Sequence, residues 1–172
     1  EIWRAPAGDD LAGQALDEVL ARTVGLQRRE RATETERLLD DVGLDAALAD
    51  AWPHELSGGQ RQRVGIARAL AANPAVLIAD EPVSSLDVSV QARILSLLDH
   101  LRCERGLALL FIGHDLAVLR SVCDRLAVMD AGRVVEQGAV DDVLSHPAEP
   151  ATQRLIEAAA GVDVGIRNPP VS

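Results

Sequence analysis

The spacing of apolar residues changes character twice along the chain. From Leu11 to Thr23 and from Glu30 to Val42 they recur at helical intervals, with Leu16, Val19 and Leu20 on one face and Leu38, Leu39 and Val42 on another. Gly25 and Gly43 punctuate these two segments. A further helix, Arg61 to Leu70, opens on Leu56-Ser57-Gly58-Gly59-Gln60. The pattern then becomes alternating strand and helix. Val76 to Ala79 is an unbroken apolar run that predicts a strand buried on both faces, as in a parallel sheet. Ile94, Leu97, Leu98 and Leu101 form one apolar face of a helix from Val88 to Glu104. Leu107 to Ile112 reads as a second buried strand and Leu126 to Met129 as a third. Asp130-Ala131-Gly132-Arg133 is a tight turn into Val134-Val135-Glu136, which makes this end a hairpin. Short helices are expected at Val140 to Ser145 and Thr152 to Ala159. Residues 1–10, with Pro6 and Gly8, show no period and read as a loose lead-in; 161–172, with Pro169-Pro170, read as a tail.

Composition narrows what such a chain can do. Its 172 residues suit one domain of ordinary size, and the first residue is Glu1 rather than Met, so an upstream segment is expected to be missing. The formal net charge is −10, which argues against a nucleic-acid surface, because phosphate backbones demand clustered cations. Aromatic residues are 2% of the chain, too few for base-stacking platforms. All 17 basic residues are Arg, and there is no Lys. No apolar stretch is long enough to span a bilayer and no signal-peptide pattern opens the chain. Cys103 and Cys123 lack CxxC spacing, so two reduced thiols are expected.

Candidate chemistry sits at two places in this pattern. Ser57 followed by Gln60 fits a capping box, which accounts for two of five residues. It leaves Gly58 and Gly59 unexplained, since each glycine in a helix costs up to about 1 kcal/mol against alanine. Two glycines there make sense where the backbone must approach something closely. A helix start offers unpaired N–H groups and a positive dipole end, so the expected guest is a phosphate. Asp80 and Glu81 stand at the carboxyl end of a buried strand, where open α/β sheets bind ligands.

These stretches together resemble the ATP-binding subunit of an ABC transporter. Leu56 to Gln60 is similar to the family's signature motif and Val76 to Glu81 to its Walker B strand. Ser84-Ser85-Leu86-Asp87 is similar to the D-loop, and Phe111-Ile112-Gly113-His114-Asp115 to the strand end carrying the switch histidine. All four stand in family order, and the likeness runs from about Leu11 to Ala159. It implies an α/β fold: a P-loop NTPase-like core fragment, mainly parallel sheet with flanking helices, plus an N-terminal helical subdomain. The implied division is 1–72 for the helical subdomain with the signature helix, 73–160 for the C-terminal part of the core, and 161–172 for the tail. The implied cofactors are ATP and Mg²⁺. Asp80 would hold Mg²⁺ through water and Glu81 would act as general base on the attacking water. His114 would hydrogen-bond the γ-phosphate, and Asp87 would pass information across a dimer interface. Ser57, Gly58, Gly59 and Gln60 would cover the γ-phosphate of a nucleotide held by the opposite subunit.

Other residues refine and limit the resemblance. Glu81-Pro82-Val83-Ser84, Leu86 to Gln91 and Ser145-His146-Pro147-Ala148-Glu149-Pro150 are similar to oligopeptide, dipeptide and nickel importer ATPases. Ala151 stands where those proteins usually have an aromatic residue, and Gly113 where a Ser or Thr usually precedes the histidine. The P-loop, G-x-x-x-x-G-K-S/T, requires a Lys and so has no counterpart in this sequence. The stacking aromatic and glutamine loop are not recognisable either. The expectation is a partial importer subunit, inactive alone, whose sheet lacks the P-loop strand and exposes apolar surface at that gap. Its implied partners are a second ABC ATPase subunit and membrane-spanning permease subunits, with no nucleic acid. Its implied place is cytoplasmic, peripheral on the inner face of the cell membrane. Two alternatives stand beside it: a non-catalytic module completing a partner's ATP site, and a fragment of a DNA-repair type ABC ATPase.

Overall fold

A computed structural model describes residues 2–3, 12–84 and 86–162. They form two compact units, one up to Ile112 and one from Gly113 onward.

The first unit begins with a helical layer. Helix α1, Ala12–Val19, runs into one π turn at Leu20–Val24, and α2 spans Arg28–Asp41. A short 3₁₀ turn at Ala46–Asp50 precedes α3, Gly58–Leu70. The apolar stripes read from the sequence meet here: Leu16, Leu38, Leu39 and Val42 are all 0% exposed, with Leu20, Val64 and Leu70 at 1%. Burying a side chain of this size contributes about 1.5–3 kcal/mol, so this cluster dominates the layer. The other faces are polar. Arg31 meets Asp17 at 2.7 Å, and Arg37 reaches both Glu34 and, at 3.0 Å, Asp41. The Arg37 hydrogen bond holds the Glu34 carboxyl below its ordinary value. The Glu30 carboxylate accepts the Gln27 amide at 3.0 Å and starts α2.

The sheet of this unit is parallel, with order β1-β2-β3. Strand β2, Val76–Asp80, and strand β3, Ala108–Ile112, are joined by α4, Val88–Arg105, a β-α-β crossover. Their register pairs Val76 with Ala108 and Asp80 with Ile112. Ile94, Leu98 and Leu101 are the buried stripe of α4, close to the stripe read from the sequence.

Two expectations for this unit are corrected. The lead-in contains a strand, β1, Ile2–Trp3, paired in parallel with Ile78 and Ala79. Two residues cannot show a period, so the sequence carried no signal for it. The strands β2 and β3 are also not buried on both faces. Leu77 and Ala79 are buried, but Val76, Leu110 and Ile112 are 47%, 51% and 46% exposed. Side chains alternate along a strand, so these residues share the opposite face of the sheet.

In the second unit, α5, Leu116–Val122, precedes an antiparallel hairpin of β4, Arg125–Asp130, and β5, Arg133–Ala139. Ala131 and Gly132 turn it with φ of 47° and 77°, the pair of positive values that a type I′ turn requires. The predicted hairpin is therefore present. Its first strand is not a third buried strand, however: Val128 is buried, but Met129 is 64% exposed. Val135 is the extra residue of a bulge opposite Val128 and Met129. Helices α6, Val140–Ser145, and α7, Pro150–Val162, follow. The Glu136 carboxylate accepts the amides of Ala148 at 3.0 Å and Glu149 at 3.1 Å, and also the Thr152 hydroxyl. One carboxylate thus ties the hairpin to the start of α7. Helix α7 takes in Gly161 and Val162, and the rest of the expected tail lies outside the described residues.

Candidate functional site

Helix α3 opens as the capping box requires. The Ser57 hydroxyl accepts the Gln60 amide at 3.3 Å, while the Gln60 side-chain oxygen accepts the Ser57 amide at 2.8 Å. The amides of Gly58 and Gly59 are the donors of the first turn that lie outside this exchange. Both glycines also have a packing reason. A Cβ on Gly59 would stand 2.7 Å from Val90 Cγ1, and one on Gly58 would stand 3.3 Å from Leu86 Cδ2. This close approach is to protein side chains of the segment after Ser85, not to the phosphate expected from the sequence, and Ser85 itself lies outside the described residues. That packing uses the flanks of the turn. The N–H groups of a helix start point along its axis and remain directed toward the helix mouth.

Asp80 ends β2 and is exposed, and exposed Glu81 follows it with φ of 46°. A non-glycine residue held at positive φ costs on the order of 1–3 kcal/mol, and such residues cluster at functional sites. The Glu81 amide donates to the Ile112 carbonyl at 2.9 Å. Its carbonyl accepts the Ser84 amide at 3.4 Å and the Ser84 hydroxyl at 3.2 Å. Glu81 is thus pinned by β3 on one side and its own turn on the other. Pro82, next in sequence, is fully buried, and its carbonyl accepts the side-chain amide of buried Gln62 from α3.

Asp87 is the N-cap of α4 and takes the Val90 amide at 2.9 Å and the Ser89 hydroxyl at 2.8 Å. The Val90 amide, then the Ser89 hydroxyl, hold its carboxyl below the ordinary value of 3.8. The structure therefore brings Ser57 to Gln60 and the start of α4 together in one unit, joined through Gln62 to the turn after Glu81. His114 belongs to the second unit, exposed, one residue before Asp115. Asp115 caps α5 by accepting the amides of Ala117 at 2.9 Å and Val118 at 3.1 Å.

Among the described residues no three His, Cys, Asp or Glu side chains gather in a metal-binding group. A lone exposed Asp80 does not suit a protein-caged ion. It does fit Mg²⁺, which takes one or two carboxylates and completes its shell with water and substrate phosphates. Both cysteines are free, and burial pushes the Cys123 thiol up, away from reactive thiolate character. No helix among the described residues is long and apolar enough to cross a membrane. Gln62 and the strained turn at Glu81 were missed from the sequence. The polar run Gln60-Arg61-Gln62-Arg63 hides the first, whose one cue is its helical spacing to Ile66 and Ala69; nothing in the sequence announces the second.

A parallel β-α-β sheet with carboxylates at a strand end, and a glycine-bearing helix start packed on Leu86 and Val90, is an arrangement the ATP-binding-cassette ATPases share. Solved structures agree. The chain superposes on cbiO1 of Clostridium perfringens, part of the ABC transporter complex cbiONQ, with a TM-score of 0.71, 28% identity, and coverage of 91% of this chain and 62% of that one. A dimeric ATP-binding cassette in a post-hydrolysis state with ADP and Pi gives a TM-score of 0.61, 33% identity, and coverage of 73% and 56%. The ABC transporter family model matches residues 9–84. Among curated relatives, the oligopeptide transport ATP-binding protein OppF of Bacillus subtilis is 45% identical over 87% of this chain and 48% of its own length. A probable peptide ABC transporter ATP-binding protein of Sinorhizobium fredii is 51% identical over 86% of this chain and 42% of its own. Residues 9–84 thus carry an ABC transporter domain, and most of the chain is homologous to ATP-binding proteins named for peptide ABC transporters. The chain spans less than half the length of these curated relatives.

Proposed function

We propose that this chain contributes the signature helix and the Walker B carboxylates to an ATP-hydrolysing subunit of an ABC importer for peptides or related small solutes. The observation that carries this reading is the strained, thrice-anchored turn at Glu81, joined to the glycine-bearing start of α3.

Glu81 takes a proton from water as the water oxygen bonds to the γ-phosphorus and the bond to the β–γ bridging oxygen breaks. ADP leaves, and the proton passes on to the phosphate. Asp80 would hold Mg²⁺, which when bound would supply neutralisation of charge on the phosphates. His114 donates to the γ-phosphate, and Asp87 sits at the dimer face where it senses the opposite site. The amides at Gly58 and Gly59, with Ser57 and Gln60, meet the γ-phosphate of a nucleotide bound by another subunit. The subunit pairs head to tail with a second ABC ATPase and docks its helical layer, within 1–72, on membrane-spanning permease subunits. Residues 73–160 supply the core. It works in the cytoplasm on the inner face of the membrane.

The lysine-free sequence favours one refinement. The P-loop Lys must come from another segment or another chain, so these 172 residues alone hydrolyse no ATP. The test mixes this chain with a related importer subunit whose P-loop is intact and whose signature glycine is replaced by Asp. That subunit alone should be inactive, and adding this chain should restore turnover. Gly59→Asp in this chain should then remove the gain about 10²–10³-fold, the cost of losing a preorganised donor set. A mixture as inactive as its components overturns the reading.

A further inference from the structure

Gln62 is 8% exposed, on a stretch of α3 where Val64, Gly65, Ile66 and Ala67 are all buried. An apolar residue there would match its surroundings. A glutamine instead places its side-chain amide as donor to the Pro82 carbonyl. Pro82 has no N–H, so that carbonyl is its one backbone polar group, and an apolar replacement would leave it buried without a donor. Pro82 adjoins Glu81, whose φ of 46° persists only while the surroundings enforce it. Glu81 is anchored by Ile112 and Ser84; Gln62 adds the only one of these anchors that comes from α3. Three residues earlier on the same helix, Gly59 is seated on Val90. Helix α3 therefore grips both ends of the segment from Pro82 to Val90.

We propose that Gln62 is a positioning residue that locks the signature turn of α3 to the turn carrying Glu81. This rests on the proposed roles of those two turns. Glu81 serves the nucleotide on its own side and the signature turn serves a nucleotide on another chain. Gln62 makes the two a single rigid piece, so that neither moves without the other.

The test uses the whole 172-residue chain with Gln62→Met, which keeps the volume and removes the donor. Gln62→Glu, of similar size and polar but without the N–H donors, is the second variant should Met misfold. Amide exchange at Glu81 and Ser84 should quicken roughly tenfold while exchange at Leu38 and Leu39 stays within about twofold. Exchange unchanged at Glu81 and Ser84, or raised equally throughout, overturns the proposal. In the mixed assembly, Gln62→Met should lower kcat about tenfold at unchanged KM for ATP, because the P-loop is the partner's. A loss explained wholly by a smaller folded fraction also overturns it. If the unmodified assembly shows no turnover, the functional reading fails, and the exchange experiment still decides the role of Gln62.

Discussion

The Asp87 carboxylate accepts the Val90 amide at 2.9 Å, and the Val90 side chain occupies the space that a side chain on Gly59 would need. One residue of α4 thus fixes Asp87 through its backbone and Gly59 through its methyl groups. In sequence Gly59 and Asp87 are separated by α3 and β2; in space they share Val90.

Gly59→Ala tests that shared seat. On helix propensity alone the change should stabilise by up to about 1 kcal/mol. The new methyl would stand 2.7 Å from Val90 Cγ1, and overpacking of this kind costs about 1–3 kcal/mol. The expected outcome in chemical denaturation is net destabilisation, relieved when Val90→Ala is added. Independent, additive losses from the two changes would show that the contact does not limit this position.

Glu81→Gly separates stability from chemistry. At φ of 46° glycine is unstrained, so the variant should gain about 1 kcal/mol, or at least lose nothing, despite losing a side chain. Joined to the P-loop segment of a related importer ATPase, the chain should hydrolyse ATP, and Glu81→Gln should lower that rate about 10²–10⁴-fold. Normal turnover by Glu81→Gln would remove Glu81 from the role of base. A thermal melt of Glu81→Gly well below the unmodified chain would show that the turn depends on the glutamate side chain.

Besides Glu34, which Arg37 holds low, two carboxylates contribute to the acid limb of stability. The Ala148 amide, then the Thr152 hydroxyl, hold Glu136 below its ordinary 4.5, and the Val90 amide holds Asp87 below 3.8. A carboxyl lowered in the folded state binds fewer protons there than in the unfolded chain. Its stabilisation is complete above the unfolded-state value and is lost as pH falls through the folded-state value. The melting temperature should therefore hold from neutrality to about pH 4.5 and fall below it, with Glu136→Gln flattening part of the decline. Circular dichroism melts across that range, with exchange at Ala148 and Glu149 as the local readout, check the assignment.

Much of this was legible in the chain itself, and the parts that were not share a cause. Leu16, Leu38 and Leu39 repeat at helical spacing, and Ser57 with Gln60 carries its own cap, so local rules sufficed. Helix α5 was missed because Leu116 to Val122 is short and largely apolar, which hides a 3.6 period; Asp115, its cap, was the overlooked cue. The Gln62–Pro82 contact joins residues 20 apart, and the positive φ of Glu81 is imposed by β3 and Ser84. Such features are properties of tertiary neighbours. The burial of β2 and β3 was overread for the same reason: an unbroken apolar run permits cover on both faces without providing it.

That uncovered face yields the last prediction. Val76, Leu110 and Ile112 point to one side of the sheet and are each about half exposed, next to Ile78. Among the described residues β3 pairs on one edge only, with β2. An apolar face beside an unpaired strand edge is a template for association, because a second chain can satisfy both the hydrogen-bond row and the side chains. The isolated chain should therefore elute as dimers or larger species, shifting with concentration. Leu110→Lys places a charge at the centre of that face, where it remains solvated in the monomer but would be desolvated in an associated form. It should move the chain toward monomer while leaving its circular dichroism unchanged, since Leu110 contributes little to the buried core. A concentration-independent monomer before the substitution would show that this face is not available to another chain. Unchanged association after it would place the contact elsewhere, with the exposed Met129 and Val134 of the hairpin the next surface to test.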